Sequence, residues 1–163
     1  MGKYNVDEML AHAMEIEQAG EKFYAVLAER LENPQLKKIF SLMSRQEVEH
    51  DKVYQQLRDQ LSGTPGGTPD QEDQFDFKQH EMLEDRIFNR LEVVRKTPKL
   101  KTLGDALAFM IDIEMDVVDY FENIRKLVSP KGQSVMERII NEEKTHVKQL
   151  VDLRTQYKSA LLR

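Results

Sequence analysis

Two short words in this chain, Glu47-Val48-Glu49-His50 and Glu143-Lys144-Thr145-His146, set a glutamate three residues ahead of a histidine. On a helix that spacing puts a carboxylate and an imidazole on one face, where they can share a metal ion. Two more glutamates, Glu17 and Glu114, stand alone at comparable places in otherwise apolar stripes. Four carboxylates and two imidazoles facing an apolar interior cost many kcal/mol if nothing compensates them. Four negative charges are cancelled by two divalent cations. The mixed oxygen and nitrogen donors suit iron or manganese, and zinc can also occupy such a set, whereas magnesium and calcium favour oxygen alone. The chemistry expected is that of two metal ions held side by side.

The elements that must position these groups are read from periodicity. The first helix is expected over about 5–31, and Asn33-Pro34 opens a second that runs to about Leu61. The Gly- and Pro-rich stretch from Ser62 to Pro69 breaks the chain. Within the polar segment 70–101 a short helix is expected over 81–96, with Met82, Ile87, Leu91 and Val94 on one face, ended by Thr97-Pro98. Thr102 with Asp105 caps a third long helix that ends near Val128. Ser129-Pro130-Lys131-Gly132 reads as a turn, and the fourth long helix is expected from Gln133 to near the C-terminus.

Each long helix carries a 3-4 alternation of core positions. The stripes are Leu10, Ala13, Glu17, Gly20, Tyr24, Leu27 and Leu31 in the first, and Leu36, Phe40, Met43, Glu47, His50, Tyr54, Leu57 and Leu61 in the second. Leu103, Leu107, Met110, Glu114, Val117, Phe121, Ile124 and Val128 follow in the third. Met136, Ile139, Glu143, His146, Leu150, Leu153 and Tyr157 make the fourth. The charged interruptions, all Glu or His, sit mid-stripe, which is the seam of a four-helix bundle with a polar layer. A shift of 97 superposes the first helix on the third (Glu17 on Glu114, Tyr24 on Phe121). A shift of 96 superposes the second on the fourth (Glu47 on Glu143, His50 on His146). At roughly 1.5 Å per residue, Glu17 and Glu47 both lie about 20–25 Å from the first turn, and Glu114 and Glu143 match them at the second. The expected fold is all-α: one domain over residues 1–163, two helical hairpins joined by a long crossover that contains a short helix.

Composition narrows the function classes. A net charge of -5 argues against a nucleic-acid partner, which requires a basic face. No apolar run approaches the roughly 20 residues of a membrane span, and the N-terminal residues lack an apolar leader core. A cytoplasmic protein is expected. The sequence has no cysteine, so disulfides, thiolate metal sites and cysteine catalysis are excluded for this chain.

The quoted residues resemble the rubrerythrin-like branch of the ferritin-like di-iron carboxylate proteins: Ile16-Glu17 followed by Phe23-Tyr24, the Glu47-to-His50 word, Glu114, and the Glu143-to-His146 word. The resemblance implies that two irons are bridged by Glu47 and Glu143. Glu17 with His50, and Glu114 with His146, then complete the two ends. Tyr24 matches a family tyrosine beside the cluster. Two departures stand out. Rubrerythrins carry a further glutamate where this chain has Val117, and many carry a four-cysteine rubredoxin domain, which a chain without cysteine cannot supply. Electrons would therefore come from an external donor. An oxidoreductase reacting with peroxide or dioxygen is expected, as a homodimer. The alternatives are iron handling (ferroxidase or storage) and a bundle that uses metal only for stability. Gly20 is expected to permit close helix approach, His12 and His80 to lie on the surface, and the methionines to pack rather than ligate.

Overall fold

The computed structural model describes residues 6–61, 77–96, 101–158 and 160–162. Five helices account for nearly all of them: α1 Val6–Arg30, α2 Pro34–Leu61, α3 Phe77–Lys96, α4 Leu103–Arg125 and α5 Pro130–Tyr157. The break at 62–69 and the Thr97-Pro98 stop lie outside the described residues. No strand occurs among those described; the one β-type contact is an isolated bridge between Thr102 and Leu161.

Local chemistry sets the helix ends. Asn33 Oδ1 accepts from the backbone N–H groups of Gln35 and Leu36 at 2.9 and 3.2 Å, satisfying donors that the first turn of α2 leaves open. At α4 a capping box forms: Thr102 accepts from the Asp105 amide, and Asp105 accepts from the Thr102 amide. The fourth long helix starts earlier than expected. Ser129 is its N-cap and Pro130 its first residue, so the Ser-Pro-Lys-Gly word is a helix start rather than a turn. The turn proper lies just before it, since α4 ends at Arg125 instead of near Val128.

The helices pair as α1 with α2 and α4 with α5, and the two hairpins meet through α1–α4 and α2–α5. The described apolar seam positions form one buried core, with Leu10, Phe40, Met43, Leu107, Phe121, Met136 and Leu150 at 0 % exposure. Gly20 and Tyr157 are only partly buried, and the side chain of Leu61 is outside those described. Burial of each such aliphatic or aromatic side chain contributes about 1.5–3 kcal/mol relative to exposure. The methionines divide. Met9, Met43 and Met110 are buried packing residues, Met14 is half-buried and Met115 is exposed.

The crossover helix is longer than expected and turned differently. It lies along α4 and touches α1, covering that side of the bundle. Met82 is 63 % exposed, while His80, Leu83 and Ile87 are buried. The step from 82 to 87 does not return to one helical face; steps of three and four from 80 to 83, 87 and 91 do. Arg86 fixes this docking by donating from Nε to Asp116 Oδ2 of α4 at 2.8 Å and from a terminal nitrogen to Oδ1. Both histidines expected on the surface belong here instead. His80 is fully buried, its ring stacked on Tyr120 at 4.2 Å. His12 of α1 is half-buried and lies 2.7 Å from Glu84 of α3. Neither had an acidic seam partner in the sequence, because their neighbours come from a helix outside the four-stripe pattern.

At the opposite end of α4 the chain terminus folds back. Leu103 N–H donates to Ala160 O at 2.8 Å, and Leu162 N–H donates to Lys101 O at 3.1 Å. Gly104 lies against this segment so closely that a Cβ there would stand 2.4 Å from the Lys158 carbonyl oxygen. Gly20 has no such role: a Cβ would meet Glu47 at 3.5 Å, an ordinary contact.

Candidate metal centre

The polar layer is contributed by four helices, one seam position from each of α1 and α4 and two from each of α2 and α5. Glu17, Glu47, His50, Glu114, Glu143 and His146 are each at most 4 % exposed. Their donor atoms fall into two overlapping groups. Glu17, Glu47, His50 and Glu143 form one; Glu47, Glu114, Glu143 and His146 form the other; the atoms of each lie within 4.8 Å of one another. Glu47 and Glu143 belong to both. All six residues singled out by spacing are therefore brought together.

Both imidazoles turn Nδ1 inward. His50 Nδ1 is 2.6 Å from Glu143 Oε1, 3.3 Å from Glu17 Oε2 and 3.5 Å from Glu47 Oε2. His146 Nδ1 is 2.9 Å from Glu143 Oε2 and 3.5 Å from Glu47 Oε1. The outer nitrogens meet two residues that seam reasoning passed over. His50 Nε2 lies 2.9 Å from Glu142 Oε2, and His146 Nε2 lies 3.2 Å from Gln46 Oε1. Glu142 and Gln46 immediately precede the two central glutamates. Tyr24 donates its hydroxyl hydrogen to Glu114 Oε1, with its ring stacked on Phe40 and edge-on to His146. Tyr54, one turn beyond His50, is fully buried, and its hydroxyl has no hydrogen-bond partner among the described residues.

Protein charge does not balance the layer. No lysine or arginine among the described residues forms an ion pair with any of the four glutamates. Burial, followed by repulsion from Glu143, holds Glu47 and Glu114 well above the usual carboxylate range. Burial raises Glu17 to about 7, partly offset by the nearby Glu47 carboxyl and the His50 imidazole. Glu143 goes the other way, to about 2: burial opposes its charge, but the close approach of the His146 and His50 imidazoles outweighs it. The imidazoles answer. Burial disfavours their charge, yet Glu143 and its neighbours lift His146 to about 9 and push His50 above its ordinary value. Without metal the layer is thus a set of shared protons around one ionised carboxylate.

The donor set fits two divalent ions better than it fits itself. Glu17 Oε1, Glu47 Oε1, both oxygens of Glu143 and Nδ1 of His146 are buried without an acceptable hydrogen-bond geometry to any described residue, although several lie near one another. Buried polar atoms left this way are rare in folded proteins. Here all of them belong to residues of the two overlapping donor groups. A narrow cavity with room for about one water-sized molecule lies at the layer itself: Glu17, Glu47, Glu114 and Glu143 line it, and its apolar wall is made by Ile16, Gly20, Leu91, Met110, Ile113 and Val117. Leu91 brings the crossover helix to this wall.

A family model described as rubrerythrin matches residues 8–154. The fold matches a crystal structure described as a candidate ferritin-like diiron-carboxylate protein from Thermotoga maritima, with 24 % identity over 95 % of this chain and 97 % of that one, and a TM-score of 0.69. Among curated proteins none matches significantly.

Proposed function

The chain belongs to the rubrerythrin family, and from that premise we propose that it binds two iron ions and works as an oxidoreductase toward dioxygen or peroxide. The observation that carries this reading is the sharing of Glu47 and Glu143 between two ligand groups. In it Glu47 and Glu143 would be shared by the two ions, Glu17 and His50 would hold one, and Glu114 and His146 would hold the other. Manganese or zinc would suit the same donors. The bound pair supplies redox chemistry that side chains lack.

The protein's own groups do the rest. The glutamates supply four negative charges matched to two divalent ions, and the protons they hold without metal leave when metal enters. Outer acceptors at Glu142 and Gln46 fix the ring orientations of His50 and His146. Tyr24 holds a proton at its hydroxyl oxygen, directed at Glu114. The aliphatic wall from Ile16 to Val117 limits water at the layer. Electrons enter from an external donor, since the chain contains no cysteine for a centre of its own.

The test is anaerobic reconstitution with ferrous iron, followed by elemental analysis and rapid mixing with dioxygen or peroxide. Two irons per chain and a fast absorbance change that a reductant reverses are expected. Fewer than two irons, or two irons inert to both oxidants, would overturn the reading.

A further inference from the structure

The two halves of the layer are related by the internal repeat, yet what stands behind them differs. The 96-residue shift that superposes His50 on His146 also superposes Gln46 on Glu142. Each residue supports the histidine of the opposite hairpin. His50 therefore has a carboxylate behind its outer nitrogen at 2.9 Å, and His146 has a neutral amide oxygen at 3.2 Å. A charged acceptor makes a bond roughly twice as strong as a neutral one and raises the basicity of the imidazole's metal-facing nitrogen.

A second observation points the same way. Tyr24 gives a hydrogen bond to Glu114, which draws electron density from that carboxylate. The 97-residue shift places Phe121, with no hydroxyl, opposite Tyr24. Tyr54, one turn beyond His50, is fully buried, but its hydroxyl makes no hydrogen bond to a described residue. The end at Glu17 and His50 thus has the stronger imidazole and the carboxylate less engaged elsewhere. The end at Glu114 and His146 has the weaker of each.

We propose that the two metal positions are inequivalent, and that the position at Glu17 and His50 binds more tightly and fills first. This rests on the two-metal reading above. The experiment is calorimetric titration of the metal-free protein with cobalt(II), for the wild type and for Glu142→Gln, Gln46→Glu and Tyr24→Phe. None of these changes removes a proposed ligand, and circular dichroism checks that each variant is folded.

Two ions should bind in two steps. Glu142→Gln should weaken the tighter step by about tenfold, the lower end of the range for changing the partner behind a ligating imidazole, because the amide keeps an acceptor and loses only its charge, and it should leave the weaker step in place. Gln46→Glu should tighten the weaker step by a similar factor. Tyr24→Phe should tighten that same step by less. Repulsion between ions would also separate two steps in equal sites, but Glu142→Gln would then weaken chiefly the second step and Gln46→Glu strengthen chiefly the first. That result, or a tighter step unmoved by Glu142→Gln, overturns the inequivalence while leaving two metals. Binding of fewer than two ions by the wild type overturns the two-metal reading itself.

Discussion

Among the described residues, buried charge occurs in two places and is handled in opposite ways. Where α3 docks on α4, the buried carboxylate of Asp116 receives two bonds from Arg86, with Arg90 3.6 Å away. That charge is balanced by the chain itself, near the surface, where Arg86 keeps about half its side chain in water. In the central layer four carboxylates are buried with no cation but two imidazoles, and five of the layer's donor atoms lack a hydrogen bond to a described residue. The contrast separates a structural ion pair from a ligand set. The first is complete as folded. The second is left incomplete by the protein, at a place where removing one partner from a finished network would be strongly destabilising.

The largest expected effect follows from the shared glutamates. Glu47→Ala or Glu143→Ala should lower metal content at both positions together, measured by elemental analysis after iron reconstitution, because each contributes to both ligand groups. Loss of only one ion in both variants would break the comparison, since the layer would then be two separate sites.

Next in size is the response to pH and metal. Glu17 folds with its carboxyl raised from 4.5 to about 7, and His146 is raised from 6.5 to about 9. Both bind more protons folded than unfolded across those windows, so the metal-free protein should lose stability as pH rises from about 4.5 to 9. Glu143, lowered to about 2, acts oppositely and costs stability only as pH falls below about 4.5. Metal competes with the same protons, so its affinity should increase with pH. A hundredfold excess of free metal over its dissociation constant adds about 2.7 kcal/mol. Urea unfolding at several pH values, with and without metal, checks both slopes. A metal-free protein that gains stability toward pH 9 would contradict the proton-sharing account.

The four seam stripes were legible because burial repeats every three or four residues, so Glu17, Glu47, His50, Glu114, Glu143 and His146 stood out as the charged members of apolar series. Gln46 and Glu142 did not. They sit one residue off the stripe, and their role depends on how two hairpins face each other, which no single helix encodes. The face of α3 was misplaced for a related reason: with one short helix and few apolar residues, Met82 and Leu83 offer competing registers, and only docking on α4 selects Leu83. His80 was unreadable because its ring partner, Tyr120, lies on another helix.

A smaller effect tests the balanced pair. Asp116→Ala should cost about 1–2 kcal/mol, the lower part of the range for bonds to charged groups, because Arg86 is half in water and can rehydrate. Metal content should not change. If it falls, the two regions are coupled through α3 and Leu91 rather than independent. Smallest is Tyr24→Phe, which removes one hydroxyl and keeps the ring. A loss of about 1 kcal/mol is expected in the metal-free protein, with two metals retained on loading. Loss of both metals would place Tyr24 among the groups that hold the layer together.

The pairing of residues 160–162 with 101–103 turns the second hairpin into a closed ring. Its helices are joined by the short turn at one end and by this backbone clasp at the other. Fraying of α4 from its first turn then requires the clasp to open, and Gly104 lets the two backbones seat closely enough to close it. Amide protons at Leu103 and Ala106 should exchange with solvent nearly as slowly as those at mid-helix. Removing the last four residues should speed them by at least an order of magnitude. Residues 160–162 are thus a latch beside a helix start, and anything fused after them needs a spacer to keep it shut.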